Sequence, residues 1–183
     1  MLTWIYVQPP ALWALLLAIA VILWPLLGLY IDRRLEKPRL WPAINAALWL
    51  LCVFVILYTA LLTRTPGSYE PILTPFYSFV AARTQPEWYR TVLMNIYVFV
   101  PLGMALSAAL GKNLPLWLRM LLTVLFGFGL SATVEYTQYF RQLGLPEIDD
   151  IIFNTLGSLL GACQALLPGL YDRILPHTKH PPS

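Results

Sequence analysis

One run of the chain, EYTQYFRQLGLPEIDDIIFNTLG from Glu135 to Gly157, gathers four acids, an arginine and three side-chain amides between two strongly apolar segments. Carboxylates exchange protons with a bound group, and a guanidinium fork holds an anionic oxygen. Glu135 and Asp150 are therefore the candidates for acid/base work, and Arg64 and Arg141 the candidate anion holders. Glu135 and Gln138 stand three apart and share a helix face. Asn154 lies one turn beyond Asp150 on the same face. Asn95 adds an amide at the head of NIYVFVPLG, where Pro101 lacks a backbone donor and predicts a kink or local opening of the helix. The candidate ligand-binding set is thus Arg64, Asn95, Gln138, Arg141 and Asn154.

Each of these residues also has a purely structural use. A carboxylate within a membrane span is by default functional, with Arg141, Arg64 or Asn154 as the expected partner of Glu135, but Glu135 could instead form a structural ion pair or a helix cap near the headgroups. Asp149 and Asp150 could cap the helix they open, because an acid at a helix start accepts orphan backbone hydrogen bonds. Asn95 could join two helices, as polar residues in membrane bundles do. Glu135, Glu147, Asp149 and Asp150 are oxygen ligands of the kind divalent cations take, but no recurring ligand spacing marks a metal site, and nothing specifies a cofactor. His177 and His180 stand in the C-terminal tail, away from the run, so no Ser/His/Asp or Cys/His arrangement forms. Cys52 and Cys163 sit in apolar segments as small packing residues.

The elements that carry these residues follow from composition. Of 183 residues, 58% are hydrophobic and 11% charged, so the bilayer is the solvent to assume. About 20 apolar residues cross roughly 30 Å of hydrocarbon. Five stretches meet or approach that length: Ala11 to Ile31, Ala43 to Leu62, Val92 to Leu110, Leu118 to Tyr139 and Ile151 to Leu167. The fourth is apolar only to Val134 and the fifth is short, so both are expected to run into the polar cluster. The expected architecture is all-α: a first helix and basic loop over residues 1–40, a four-helix membrane domain over 41–168, and a short proline-rich tail over 169–183. No basic residue precedes the first stretch, which is read as a retained helix rather than a signal peptide. GSLLG at Gly157 to Gly161 is a small-xxx-small surface for close helix approach.

Basic residues flank cytoplasmic helix ends more often than outer ones. Placing the first loop inside puts Arg33, Arg34, Lys37, Arg39, Lys112, Arg119, Arg173 and Lys179 on that side, against Arg64, Arg83, Arg90 and Arg141 outside. Eight against four favours an outer N-terminus and a cytoplasmic C-terminus. Trp88, Tyr89, Tyr136 and Tyr139 would then mark the outer interface, and Trp41 and Trp117 the inner one. The basic residues follow membrane edges and form no nucleic-acid patch. On this topology Arg64, Asn95, Glu135 and Asp150 come from four helices to one depth near the outer surface.

Several segments in this order resemble the VanZ-like family of bacterial membrane proteins. They are TRTPG at Thr63 to Gly67, LTPF at Leu73 to Phe76, NIYVFVPLG at Asn95 to Gly103, EYTQ at Glu135 to Gln138 and DDIIFNTLG at Asp149 to Gly157. The resemblance covers roughly residues 62–161. It implies a multi-pass protein of the bacterial cytoplasmic membrane, in a family whose namesake is associated with teicoplanin resistance. Its matching polar positions are Arg64, Asn95, Glu135, Gln138, Asp150 and Asn154. Many relatives carry an arginine shortly before the aspartate pair; this chain has Gly144, Leu145 and Pro146 there, with Arg141 as the nearest substitute.

Three classes of function fit these residues. The first is a headgroup site for a lipid-linked or glycan precursor, affecting glycopeptide susceptibility, with a catalytic variant in which Glu135 or Asp150 acts on an envelope lipid. The second is a transporter or flippase with Glu135 as its proton site. Charges at one membrane edge and the lack of repeated halves weigh against it. The third is a non-catalytic assembly partner that docks through GSLLG.

Overall fold

The computed structural model describes residues 10–35, 39–67, 70–85 and 87–174. Lys37 of the first basic loop and His177, Lys179 and His180 of the tail lie outside the described residues, as do the side chains of Arg33, Arg34 and Arg173. The chain forms α1 (Pro10–Leu35), α2 (Leu40–Leu57), the short α3 (Tyr77–Ala81), α4 (Glu87–Ala109), α5 (Leu116–Arg141), α6 (Ile148–Ala162) and α7 (Leu167–Ile174). A π-helical turn, Tyr58–Leu62, continues α2, and a 3₁₀ turn, Cys163–Leu166, joins α6 to α7. Helices satisfy their own backbone groups, which is why apolar segments of this length adopt them in lipid.

Five spans are long and apolar enough to cross a membrane: Ala11–Asp32, Leu40–Leu62, Glu87–Ala109, Leu116–Arg141 and Ile148–Tyr171. All five expected helices are present. The fourth continues through Glu135 and Gln138 to Arg141, and the fifth begins at Ile148. The polar run is thus a helical hairpin whose turn is only residues 142–147. α5 ends where Gln142 adopts a left-handed conformation (φ 52°) and Leu143 N–H donates to the Gln138 carbonyl at 2.9 Å.

α4 is the centre of the bundle. Half of its apolar window is buried, against 11% for the windows of α1 and α2. It packs most extensively on α6, and its other large contact is with α2. A core of Ile56, Phe99, Leu102 and Val134 joins α2, α4 and α5. The α4 and α6 backbones meet along GSLLG: a Cβ at Gly157 would strike the Ile96 carbonyl oxygen, and one at Gly161 the Val100 carbonyl oxygen. Those glycines permit close approach rather than conformational freedom.

Two expectations change at this level. α4 runs unbroken through Pro101, and the irregular turn lies at Tyr58–Leu62 in the neighbouring helix. Trp41 stands at the start of α2 as expected, but it faces protein: it is buried, with its ring 5.0 Å from that of Trp24. Asn45, fully buried, joins the same contact by accepting from Trp24 Nε1 at 2.9 Å and donating to the Trp41 carbonyl at 2.8 Å.

Candidate functional site

The end of α2, α3, the start of α4, the end of α5 and the start of α6 converge at one end of the bundle, and the polar run with them. Two connections hold that end together through their backbones. Gly67 N–H donates to the Gln142 carbonyl at 2.8 Å, Ile72 N–H to Pro146 at 2.9 Å, and Ile148 N–H to Ile72 at 3.1 Å. Ile72 and Glu147 thereby form a parallel bridge that clasps the segment after α2 to the α5–α6 turn.

Asp149 is nearly fully buried and does not cap its own helix. Its Oδ1 accepts from Phe76 N–H at 2.5 Å and its Oδ2 from Ser78 N–H at 2.8 Å. It therefore caps α3 from across the fold, which corrects the expectation that an aspartate of this pair caps α6. Phe76 sits in the left-handed region (φ 61°), costly for a bulky residue. The Asp149 carboxylate offsets that cost with charge-assisted hydrogen bonds.

Asp150 points elsewhere, accepting from Asn95 Nδ2 at 2.5 Å and so joining α4 to α6. Glu135, 7% exposed, accepts from Glu147 N–H at 3.0 Å. Its hydrogen-bond partner is thus the turn backbone rather than Arg141, Arg64 or Asn154. Arg64 does face Glu135, Glu147 and Asp150 electrostatically. Its guanidinium also covers the α5–α6 turn: a Cβ at Gly144 (φ 139°) would sit 2.5 Å from Arg64 Nη1. Arg141 is exposed in the last turn of α5, where a cation complements the helix dipole, and is not among the charged neighbours of these carboxylates.

Gln138 lies about one turn nearer the end of α5 than Glu135, and Asn154 about one turn deeper in α6 than Asp150. Gln138 Nε2 donates to the Ala60 carbonyl at 3.0 Å, an acceptor in the π turn, and its Oε1 is buried without a hydrogen-bond partner. Asn154 Nδ2 donates to Ser131 Oγ at 2.9 Å, and its Oδ1 is likewise unpartnered. Both join helices through their amide nitrogens and leave an acceptor unused.

Glu147, in the turn outside the spans, is 9% exposed. Burial, then the negative charges of Asp150 and Asp149, push its carboxyl up from 4.5 to about 7, while the Ser78 hydroxyl and Arg64 pull the other way. Among the described residues no group of three or more His, Cys, Asp or Glu side chains has the geometry to hold a metal ion. The carboxylates are spread around backbone donors and Arg64 rather than pointed at one centre.

Sequence reasoning brought Arg64, Asn95, Glu135 and Asp150 to one end, and the structure places them together. It missed Ser78, Ile72 and the cross-fold role of Asp149. The only signal of these was LTPF, whose Phe76 is the residue Asp149 holds.

The family described as VanZ/LLP1 matches residues 12–168, most of the chain. Protein VanZ of Enterococcus faecium is 30% identical over 89 residues, 49% of this chain and 48% of that protein. The chain thus spans about half the length of the curated relative it matches. No solved structure matches.

Proposed function

We propose that this chain, which belongs to the VanZ/LLP1 family, is a multi-pass protein of the bacterial cytoplasmic membrane whose acid-rich end faces outward and binds the headgroup of a lipid-linked glycan precursor. The observation that carries this reading is Arg64, exposed at the bundle end beside the Glu135, Glu147 and Asp150 carboxylates. Sugar hydroxyls donate to carboxylates, and a guanidinium holds an anionic oxygen of the same headgroup. Carboxylates outnumber arginine here, so the site favours the glycan portion over a bare phosphate. Asn95 fixes Asp150, and the Ile72–Glu147 bridge fixes the turn, so the acceptors are held in place before a ligand arrives. The unused acceptors of Gln138 and Asn154 lie about one turn from Glu135 and Asp150 on the same helices.

Occupying such a precursor would alter susceptibility to glycopeptides, in keeping with the teicoplanin association of the family's namesake. The test is a panel of Arg64→Ala, Glu135→Gln and Asp150→Asn proteins, inserted at wild-type levels and scored against envelope-targeting antibiotics including teicoplanin. Loss of the wild-type susceptibility profile in Arg64→Ala and Asp150→Asn is the expected result. Unchanged profiles in all three variants would contradict the reading.

The proximity of Glu135 to Asp150 supports a second reading, acid/base catalysis on the bound headgroup, because neighbouring carboxylates can divide the two roles. It predicts turnover of the precursor by wild-type protein and binding without turnover by Glu135→Gln.

A further inference from the structure

A cavity of about 700 Å³ opens at the other end of the bundle from the acid-rich site. That volume is within the range of roughly 300–1,000 Å³ typical of small-molecule sites. Four spans contribute an end to it, with Asp32 from α1, Arg39 and Trp41 at the start of α2, Ala109 from the end of α4 and Arg119 from the start of α5, and Gln164 lines it from within the fifth span. The cavity therefore lies at the level where the hydrocarbon ends.

Its charge is one-sided. Arg39, Lys112 and Arg119 line it, with Asp32 as the acid among the lining residues. Lys112 Nζ is 2.9 Å from Asp32 Oδ2, which neutralises one cation and tethers it at the rim. Arg119 is held differently: its Nε and Nη2 both donate to the Ser107 carbonyl, at 3.0 and 2.6 Å. A guanidinium has five N–H donors, so this clamp fixes the plane of the fork and leaves further donors for a guest. The starts of α2 and α5 add to the positive field. Neither has a side-chain cap or an acid in its first turn, so their first backbone N–H groups are not matched by a carboxylate. Trp41 and Pro42 provide apolar wall beside these donors.

We infer that this cavity is a binding site for a phosphate-bearing anion, with Arg39 and Arg119 as its principal ligands. Its place at the edge of the hydrocarbon makes it reachable by the headgroup of an anionic phospholipid, and basic pockets between helix ends suit such headgroups. Free phosphate carries the same chemistry from the aqueous side. The site is separate from the acid-rich end and does not depend on the function proposed for it.

The test uses the full-length protein purified in a neutral detergent and followed by thermal unfolding and by native mass spectrometry. Phosphatidylglycerol, phosphatidylcholine and inorganic phosphate are added in separate arms. Wild-type protein is expected to retain phosphatidylglycerol and to unfold at higher temperature with it than with phosphatidylcholine. A matching shift with inorganic phosphate would also support the site and would identify free phosphate as a sufficient ligand. Arg39→Gln is expected to weaken the effective anion about tenfold, the loss of about one charge-assisted hydrogen bond. Because Arg119→Gln also releases the Ser107 carbonyl, Arg119→Lys serves as its companion, keeping the charge but not the fork. Retention of phosphatidylglycerol and phosphate no stronger than that of phosphatidylcholine, or unchanged retention in Arg39→Gln and Arg119→Lys alike, would overturn the inference.

Discussion

Asp149 and Asp150 are neighbours in sequence and do different work. Asp149 uses both oxygens on the α3 backbone, while Asp150 meets Asn95 beside the exposed Arg64. Asp149→Asn would turn one acceptor into a donor facing a backbone N–H, and is expected to destabilise the protein by about 2 kcal/mol. Asp150→Asn should cost less stability and more function; a thermal unfolding comparison in detergent separates the two. Glu147 supplies a pH signature. With its carboxyl raised from 4.5 to about 7, the folded protein retains a proton that the unfolded chain has released between those values. Its contribution to stability is therefore present below about pH 4.5 and is lost as pH rises through about 7. Unfolding temperatures of wild type and Glu147→Gln measured from pH 5 to 8 should diverge across this window, the wild type losing stability faster. Parallel curves would count against the shift.

At the scale of elements, the small residues of α6 make a prediction with a built-in control. Gly157→Ala and Gly161→Ala would push the α6 backbone away from α4, at a cost of about 1–3 kcal/mol each. Gly129 in α5 has open space where a Cβ would go, so Gly129→Ala should leave stability unchanged or improve it by up to about 1 kcal/mol. The five helices and this seam were legible because hydropathy and small-residue spacing are properties of side chains, which the sequence displays directly. The Ile72–Glu147 clasp and the α3 cap were not, since they are made by backbone groups, or by a carboxylate reaching 71 residues along the chain. The π turn at Tyr58–Leu62 was hidden as well. Its residues are ordinary apolar ones, whereas Pro101, which drew attention as a helix breaker, lies in an unbroken helix.

The whole molecule has two polar ends of opposite character. Four of its nine acids gather at one end, and a cavity with three arginine or lysine side chains opens at the other. Side-chain type located the acids because they interrupt apolar sequence; the basic cavity was read only as a topology signal, since its volume depends on how five spans pack. The proposed orientation puts the acids outside. A cysteine introduced at Gln142, an exposed residue, should react with a membrane-impermeant thiol reagent from outside intact cells, and one at Asn113 only after permeabilisation. What the acid-rich end holds decides the function of the molecule. Titrating purified protein in nanodiscs with a lipid-linked glycan precursor, and with the same lipid carrier lacking its glycan, tests it most directly. If the acid-rich end holds the glycan, the glycan-bearing lipid binds saturably and more tightly than the bare carrier, and Asp150→Asn and Arg64→Ala each weaken its binding about tenfold or more. Equal binding of both lipids, or undiminished binding by both variants, would contradict it.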